Sequence, residues 1–389
     1  MCELPAYPVS VVGSWPRPRW LLEAARKKAS NLEELQDEAT LLAIKYQEDA
    51  GIDVISDGEQ RRDNFYSFIV ERLEGLRLMS MAELLDYVED KAAFEGLLSA
   101  LDVPAFAIKN PTVVGKLRPS KPLVLEDFHF LRSHTARPVK ITLPGPYLLS
   151  RSTWVKQLSA GAYPARESLC DDIVGILREE VAALAAAGAQ VIQLDEPVLT
   201  ELVFAGKSST RTFMCAALAA SASPTRELEL AVDLINRVFE GIQGPVRALH
   251  VCRGNWSRNE DVLLQGSYDA LVPFFARMDV DQFVLEYATP RAGSVQVLSD
   301  LPEASGLGFG VVNPRTAEIE SPEKIAARAR EAASVLGSQR IWLNPDCGFG
   351  TFAQRPVATA RVAYEKLGAL VRAAKLLRRA EAVSTHSSD

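Results

Sequence analysis

The chain has 389 residues, is 48% hydrophobic and carries a formal net charge of -7. That is enough apolar material for one large α/β barrel or two medium domains. The only local basic excess, KLLRR at 375–379, is too small for a nucleic-acid surface. No apolar run reaches the length of a membrane span, and the N-terminal MCELPAYPVS lacks the regions of a signal peptide. A soluble, cytoplasmic protein with no membrane or nucleic-acid partner is expected. Five cysteines in so long a chain do not form a disulfide framework; in a reducing compartment they point to packing, metal or chemistry.

Extended apolar runs recur at 8–16, 51–59, 137–146, 189–197, 245–254, 281–290, 306–314 and 339–348. Most are continuously apolar, as strands buried on both faces are. Residues 17–50 read as a helical connection. Residues 60–136 are longer than one crossover needs. They read as an insertion with helical stretches and a hairpin at 111–128, of the kind that forms a lid, a site wall or a subunit contact. Apolar spacing, early acids and Gly188 predict a helix over 170–189. Ser321 as N-cap, Pro322 in the first turn and Gly337 as a stop predict another over 321–337. Strands alternating with helices argue for a single (β/α)8 TIM barrel over 1–380. The insertion then falls between strands two and three, and 381–389 form a disordered tail.

In such barrels chemistry sits at the C-terminal strand ends. Ser14, Asp57, Glu59, Asp195, Glu196, His250, Cys252, Glu286, Asp346 and Cys347 all fall there, while the strands are nearly free of charge. In ALHVCRGNW (248–256), His250 and Cys252 are two apart, so a strand presents both to one side. Thiolate plus imidazole suits zinc. A core cysteine beside a hydrogen-bonded histidine is the plainer reading. Glu286 and Cys347 end two further strands and could complete a His/Cys/Glu/Cys tetrahedron. Cys170 and Cys215 read as packing residues, Cys2 is terminal, and His129, His134 and His386 are not expected to bind metal. Glu196 should point away from Asp195, unless the turn after the strand aims both inward.

The runs VVGSWPRP, DGEQRRDNFYSF, ITLPGPY, QLDEPVL, LHVCRGN, LEYATPRAG and WLNPDCGFGT, in this order, resemble the C-terminal catalytic barrel of cobalamin-independent methionine synthase, in a short single-barrel branch. The resemblance implies a zinc-dependent transfer of a methyl group to the thiol of L-homocysteine, forming L-methionine. It implies His250, Cys252, Glu286 and Cys347 as zinc ligands, with Glu286 lengthening or leaving when the substrate sulfur arrives. Ser14, Glu59 and Asp195 would hold the amino-acid part of homocysteine: the acids its ammonium, the backbone near Ser14 its carboxylate. Ion pairing of those acids with Arg61, Arg62 or Arg253 is the structural alternative. Two departures bear on the donor. Arg315 stands where full-length members place a proton-moving histidine, and arginine gives up no proton at ordinary pH. The second barrel, which helps bind polyglutamyl folate, is absent. Both favour methylcobalamin or a methylated corrinoid protein over 5-methyltetrahydrofolate; a folate donor would need another acid, such as Asp346 or a water. Trp15, Trp154 and Trp256 could offer a flat face to either donor, or pack in the core. Competing readings are a thiol alkyltransferase of the epoxyalkane–coenzyme M type, a zinc hydrolase, and a non-catalytic zinc-stabilised binding protein.

Overall fold

The computed structural model describes residues 4–87, 109–204 and 223–386. Six parallel strands form the main sheet: β3 (Lys140–Pro144), β4 (Val191–Asp195), β5 (Val246–Val251), β6 (Gln282–Glu286), β7 (Gly306–Val312) and β8 (Ile341–Pro345). Each pairs with the next in order. Single parallel bridges carry the pairing back to the start: Leu343 to Val9, Ser10 to Val54, and Ile55 to Val139. The architecture is the expected TIM barrel, with the first two strands reduced to bridges. Side chains take their ladder positions. The Val9 amide donates to Asp53 Oδ2 (2.8 Å) and the Ser56 amide to Gln47 Oε1 (2.9 Å).

Strand alternation decides what faces the barrel interior. Val12, Val54, Val191, Ala248 and Val284 form a small apolar cluster separate from the large one between strands and helices. Two residues on from Val284 stands Glu286, and two on from Ala248 stands His250. Gln193 and Asp195 follow Val191 in the same register. An apolar floor therefore carries polar groups at the strand ends. In β7 the alternate residues are glycines. A Cβ on Gly310 would lie 2.6 Å from Leu285 O and 2.7 Å from Asp346 Oδ1. The missing side chain makes room for the Asp346 carboxylate.

Two expectations need correction. The hairpin at 111–128 does not form. β2 (Lys109–Pro119) pairs antiparallel with β1 (Leu73–Ser80), and Leu125–Ser133 is a helix. The Glu180 carboxylate receives the amides of Leu123 (2.9 Å), Val124 (2.6 Å) and Leu125 (2.8 Å) at the start of that helix. Those donors are thus lost to a second strand. The tail is not disordered from 381: the last helix runs Ala360–His386. Glu381 and Ala382 are strong helix formers, and Tyr7 hydrogen-bonds Glu381. Cys2, Cys215 and residues 387–389 lie outside the described residues. No described helix is long and apolar enough to cross a membrane.

Replacing Gly310 with alanine forces backbone and a buried carboxylate apart. Gly310→Ala should cost about 1–3 kcal/mol, read as a lowered midpoint in thermal or urea unfolding.

Candidate metal centre and adjoining cavity

β5 delivers His250 and, just past its end, Cys252; β8 delivers Cys347 one residue beyond Asp346. All three are buried, and one ligand atom from each lies within 4.8 Å of the others. His250 Nδ1 is 3.1 Å from the Val284 carbonyl. Donation there assigns the lone pair to Nε2, which lies 3.5 Å from Cys347 Sγ. Thr200 Oγ1 donates to the Cys252 carbonyl (2.8 Å) and steadies the turn.

The hydrogen bond from Cys347 pulls the Cys252 thiol down to about 5 against the effect of burial, with His250 helping. Cys347 is raised correspondingly, by that same hydrogen bond and by burial. Burial lowers His250, but its hydrogen bond to Cys252 and the charges of Cys252 and Asp195 raise it to about 9. A thiolate stabilised by a proton-bearing imidazole is what a soft divalent cation replaces. Two sulfurs and one oriented imidazole, all withdrawn from water, fit zinc.

Glu286 is near this trio but is not brought into it. Its Oε2 accepts from the Arg253 amide (2.9 Å) and its Oε1 from Arg315 Nη1 (3.1 Å), with Arg291 at 3.6 Å. Burial pushes the Glu286 carboxyl up, and the charges of Arg315, Arg291 and Arg253 outweigh it and hold it low.

The trio forms one wall of a cavity whose lining also includes Ser14, Glu59 and Asp195. Glu59 has a left-handed backbone (φ 54°), rare for a residue with a side chain. Arg17 holds it there: Nη2 donates to the Glu59 and Arg62 carbonyls (2.7 Å each), and Nη1 to Gly350 O. Glu59 Oε1 accepts from Thr142 Oγ1 (3.0 Å), and Oε2 is buried with no partner. Asp195 accepts from Gln193 through Oδ1 (2.8 Å). Burial raises its carboxyl to about 7; His250 opposes this and the charge of Glu59 adds to it. Neither acid forms an ion pair with Arg61 or Arg253. Arg61 serves Asp37 and Asp127, Arg253 is with Glu286, and Arg62 donates to Thr142. Ser14 meets the loop after β8 closely: its carbonyl accepts from Phe349 N (2.9 Å), and a Cβ on Gly348 would strike its hydroxyl.

The remaining candidates stand elsewhere. Glu196 turns from the cavity and accepts the amides of Tyr147 (2.7 Å) and Leu148 (2.8 Å) at the start of helix Pro146–Ser152. Asp57 accepts from Glu59 N (3.1 Å). Arg315 and Asp346 bind each other (3.2 Å) and are absent from the cavity lining. Of the three tryptophans only Trp256 lines the cavity; Trp15 stacks on Tyr46, and Trp154 packs against the core. Cys170 is a buried helix residue. Arg17 and Thr142 escaped sequence reasoning. A buried arginine bonding only carbonyls leaves no pattern, and a strand threonine reads as ordinary β-propensity.

Fold and site together define a barrel protein with a buried thiol–imidazole centre opening on an acidic cavity. The chain belongs to the family described as cobalamin-independent synthase, catalytic domain, whose pattern matches residues 7–376. Curated relatives include the methionine synthase of Sulfurisphaera tokodaii, 28% identical over 385 residues (97% of this chain, 94% of the relative). That of Pyrococcus furiosus is 29% identical over 384 residues, with the same coverage. Among solved structures, a B12-independent methionine synthase from a Shewanella species, in complex with selenomethionine, superposes with a TM-score of 0.74 at 24% identity. That match covers 97% of this chain and 99% of the other.

The purified protein should carry one zinc per chain. Cys252→Ser and Cys347→Ser should each lose it while circular dichroism shows the fold retained; full occupancy in both would remove the metal assignment.

Proposed function

We propose that the protein is a zinc-dependent methyltransferase that methylates the thiol of L-homocysteine to give L-methionine. The observation that carries this is the Glu59 carboxylate oxygen, buried without a donor, beside Asp195 in the cavity that the thiol–imidazole trio lines. Neither acid has a salt bridge, and Arg17, Arg62, Lys140 and His250 lend them charge only at longer range, so a cation in the cavity would be favoured. The ammonium of an amino acid supplies one, and the family and its relatives favour an amino acid bearing a thiol. Coenzyme M, a thiol with a sulfonate and no amine, would leave both acids unpaired, which disfavours the epoxyalkane-type alkyltransferase. A merely structural zinc would not require the cavity.

On this reading zinc held by His250, Cys252 and Cys347 supplies a Lewis acid that keeps a thiol ionised at neutral pH. Glu59 and Asp195 fix the ammonium and so aim the sulfur at the metal trio. The backbone around Ser14 and Gly348 receives the carboxylate. Phe65, Trp256 and Phe352 give the mouth apolar walls that exclude water. Sulfur then bonds the methyl carbon as the carbon–donor bond breaks, and the bonding pair stays with the donor. Residues 1–380 act as one catalytic unit, with the 60–136 insertion supplying Phe65 to the wall.

For the donor, the reading favours methylcobalamin or a methylated corrinoid protein. Its leaving group needs no proton, and neither Arg315 nor Asp346 lines the cavity to deliver one. The words cobalamin-independent in the family description favour the second reading, 5-methyltetrahydrofolate. Homocysteine methylation assayed in parallel with methylcobalamin, methyl-folate monoglutamate and methyl-folate triglutamate separates them. Faster turnover with methylcobalamin is expected; faster turnover with either folate reverses the choice.

Asp195→Asn should weaken homocysteine binding about tenfold to a hundredfold, the worth of a charge-assisted hydrogen bond, with zinc content unchanged. Because Asp195 is raised to about 7, it is neutral below that pH and charged above it. Homocysteine affinity should therefore fall as pH drops through about 7, and Asp195→Asn should make that fall less steep, leaving the part due to thiol ionisation, both read by titration calorimetry.

A further inference from the structure

Glu59 has one carboxylate oxygen to offer the cavity because its other oxygen is already held. Oε1 accepts from Thr142 Oγ1 (3.0 Å), and Thr142 Oγ1 accepts in turn from Arg62 Nη1 (3.0 Å). All three residues are buried. Chemistry forces the order of these two bonds. A guanidinium has donors only, so the hydroxyl must accept from Arg62, and its single proton is left for Glu59. Oε1 is thereby fixed as an acceptor, and Oε2 is the oxygen without a partner. Strand parity puts the hydroxyl there. Thr142 is the middle residue of β3, and its neighbours Ile141 and Leu143 pack in the large core between strands and helices, so Thr142 faces the barrel interior. Gly13 leaves the room: a Cβ there would strike Glu59 Oε1 and lie 3.1 Å from Thr142 Cγ2. The Nε and Nη2 atoms of Arg62 are buried without partners among the described residues, with Phe68 beneath the guanidinium at 4.6 Å. Burial works against this charge, and Asp57 and then Glu59 lead the carboxylates that offset it. Thr142 is the group through which it reaches Glu59.

We propose that Thr142 is a positioning residue: its hydroxyl carries the charge of Arg62 to Glu59 Oε1 and so turns Oε2 alone toward the cavity, as the acceptor for the substrate amine. This rests on the function proposed above. A direct Arg62–Glu59 pair would occupy both carboxylate oxygens on one guanidinium fork and leave none for an amine. The interposed hydroxyl holds one oxygen and leaves the other free. Arg17 fixes the backbone of Glu59, and Thr142 fixes its carboxylate. Valine has the shape of threonine without the hydroxyl. It would leave Arg62 Nη1 and Glu59 Oε1 both unsatisfied, and the carboxylate would be free to turn.

The test titrates the zinc-loaded full-length protein with L-homocysteine by calorimetry at one fixed pH. Thr142→Val should raise the dissociation constant about tenfold, the scale of one hydrogen bond, with zinc content unchanged. Thr142→Ser restores the hydroxyl and drops the methyl, and should return to within about threefold of wild type. A packing role predicts the reverse order, since valine fills the volume and serine does not. The control is 4-mercaptobutyrate, which is homocysteine without its amine. Thr142→Val should leave its affinity unchanged, because no amine meets Oε2. If it binds neither protein, the amine carries the binding and the contrast between valine and serine decides. Homocysteine bound by Thr142→Val as tightly as by wild type would overturn the proposal, as would an equal loss of both thiols. Should Thr142→Val not fold, Thr142→Ala takes its place with the same expectation. Zinc-loaded wild-type protein that binds no homocysteine sinks the proposed function and this inference with it, a result distinct from tight binding that ignores Thr142.

Discussion

A buried carboxylate oxygen without a donor is expensive, and at the mouth of this barrel that cost sorts structural acids from functional ones. Glu180 and Glu196 each cap a helix start with backbone amides. Glu286 and Asp346 share Arg315. Asp127 answers Arg61. Glu59 and Asp195 face the cavity without a salt bridge, with Arg62 and His250 lending them charge at longer range. Asp195 responds by holding its proton to about 7. The fold spends backbone strain at Glu59 and a buried arginine, Arg17, to keep this arrangement, so an external cation is its natural complement.

The metal trio obeys a related constraint. Thiolates buried together repel unless a proton or a cation sits between them. Here the hydrogen bond between the two thiols pulls Cys252 down and pushes Cys347 up, with His250 lowering Cys252 further. The acid pair and the sulfur pair lie on one cavity, and on the proposed function its ligand carries an amine at one end and a soft donor at the other. That bifunctional demand narrows the substrate class more than fold membership does.

Much of this was legible in the sequence because strand parity is rigid. The two-residue spacing of His250 and Cys252 put both on one face, and barrel closure brought Cys347 to them. The misplacements share one cause: partners distant in sequence. Arg253, Arg291 and Arg315 follow three different strands, and nothing in LEYATPRAG says that they converge on Glu286. Glu180 lies on the helix Arg166–Ala186, yet it decides that Leu125–Ser133 is a helix rather than a strand. Periodicity and propensity report on neighbours, whereas the fate of a buried charge depends on whatever folds against it.

On the proposed function, the trio and the acid pair receive the two ends of one molecule. Proton release on homocysteine binding tests it most directly. Calorimetry of the zinc-loaded protein in buffers of different ionisation enthalpy, at about pH 8 where Asp195 is already charged, should show close to one proton released per homocysteine bound, as the thiol ionises at the metal. The same binding with no proton released would mean that the thiol stays protonated away from the trio, and would contradict the account.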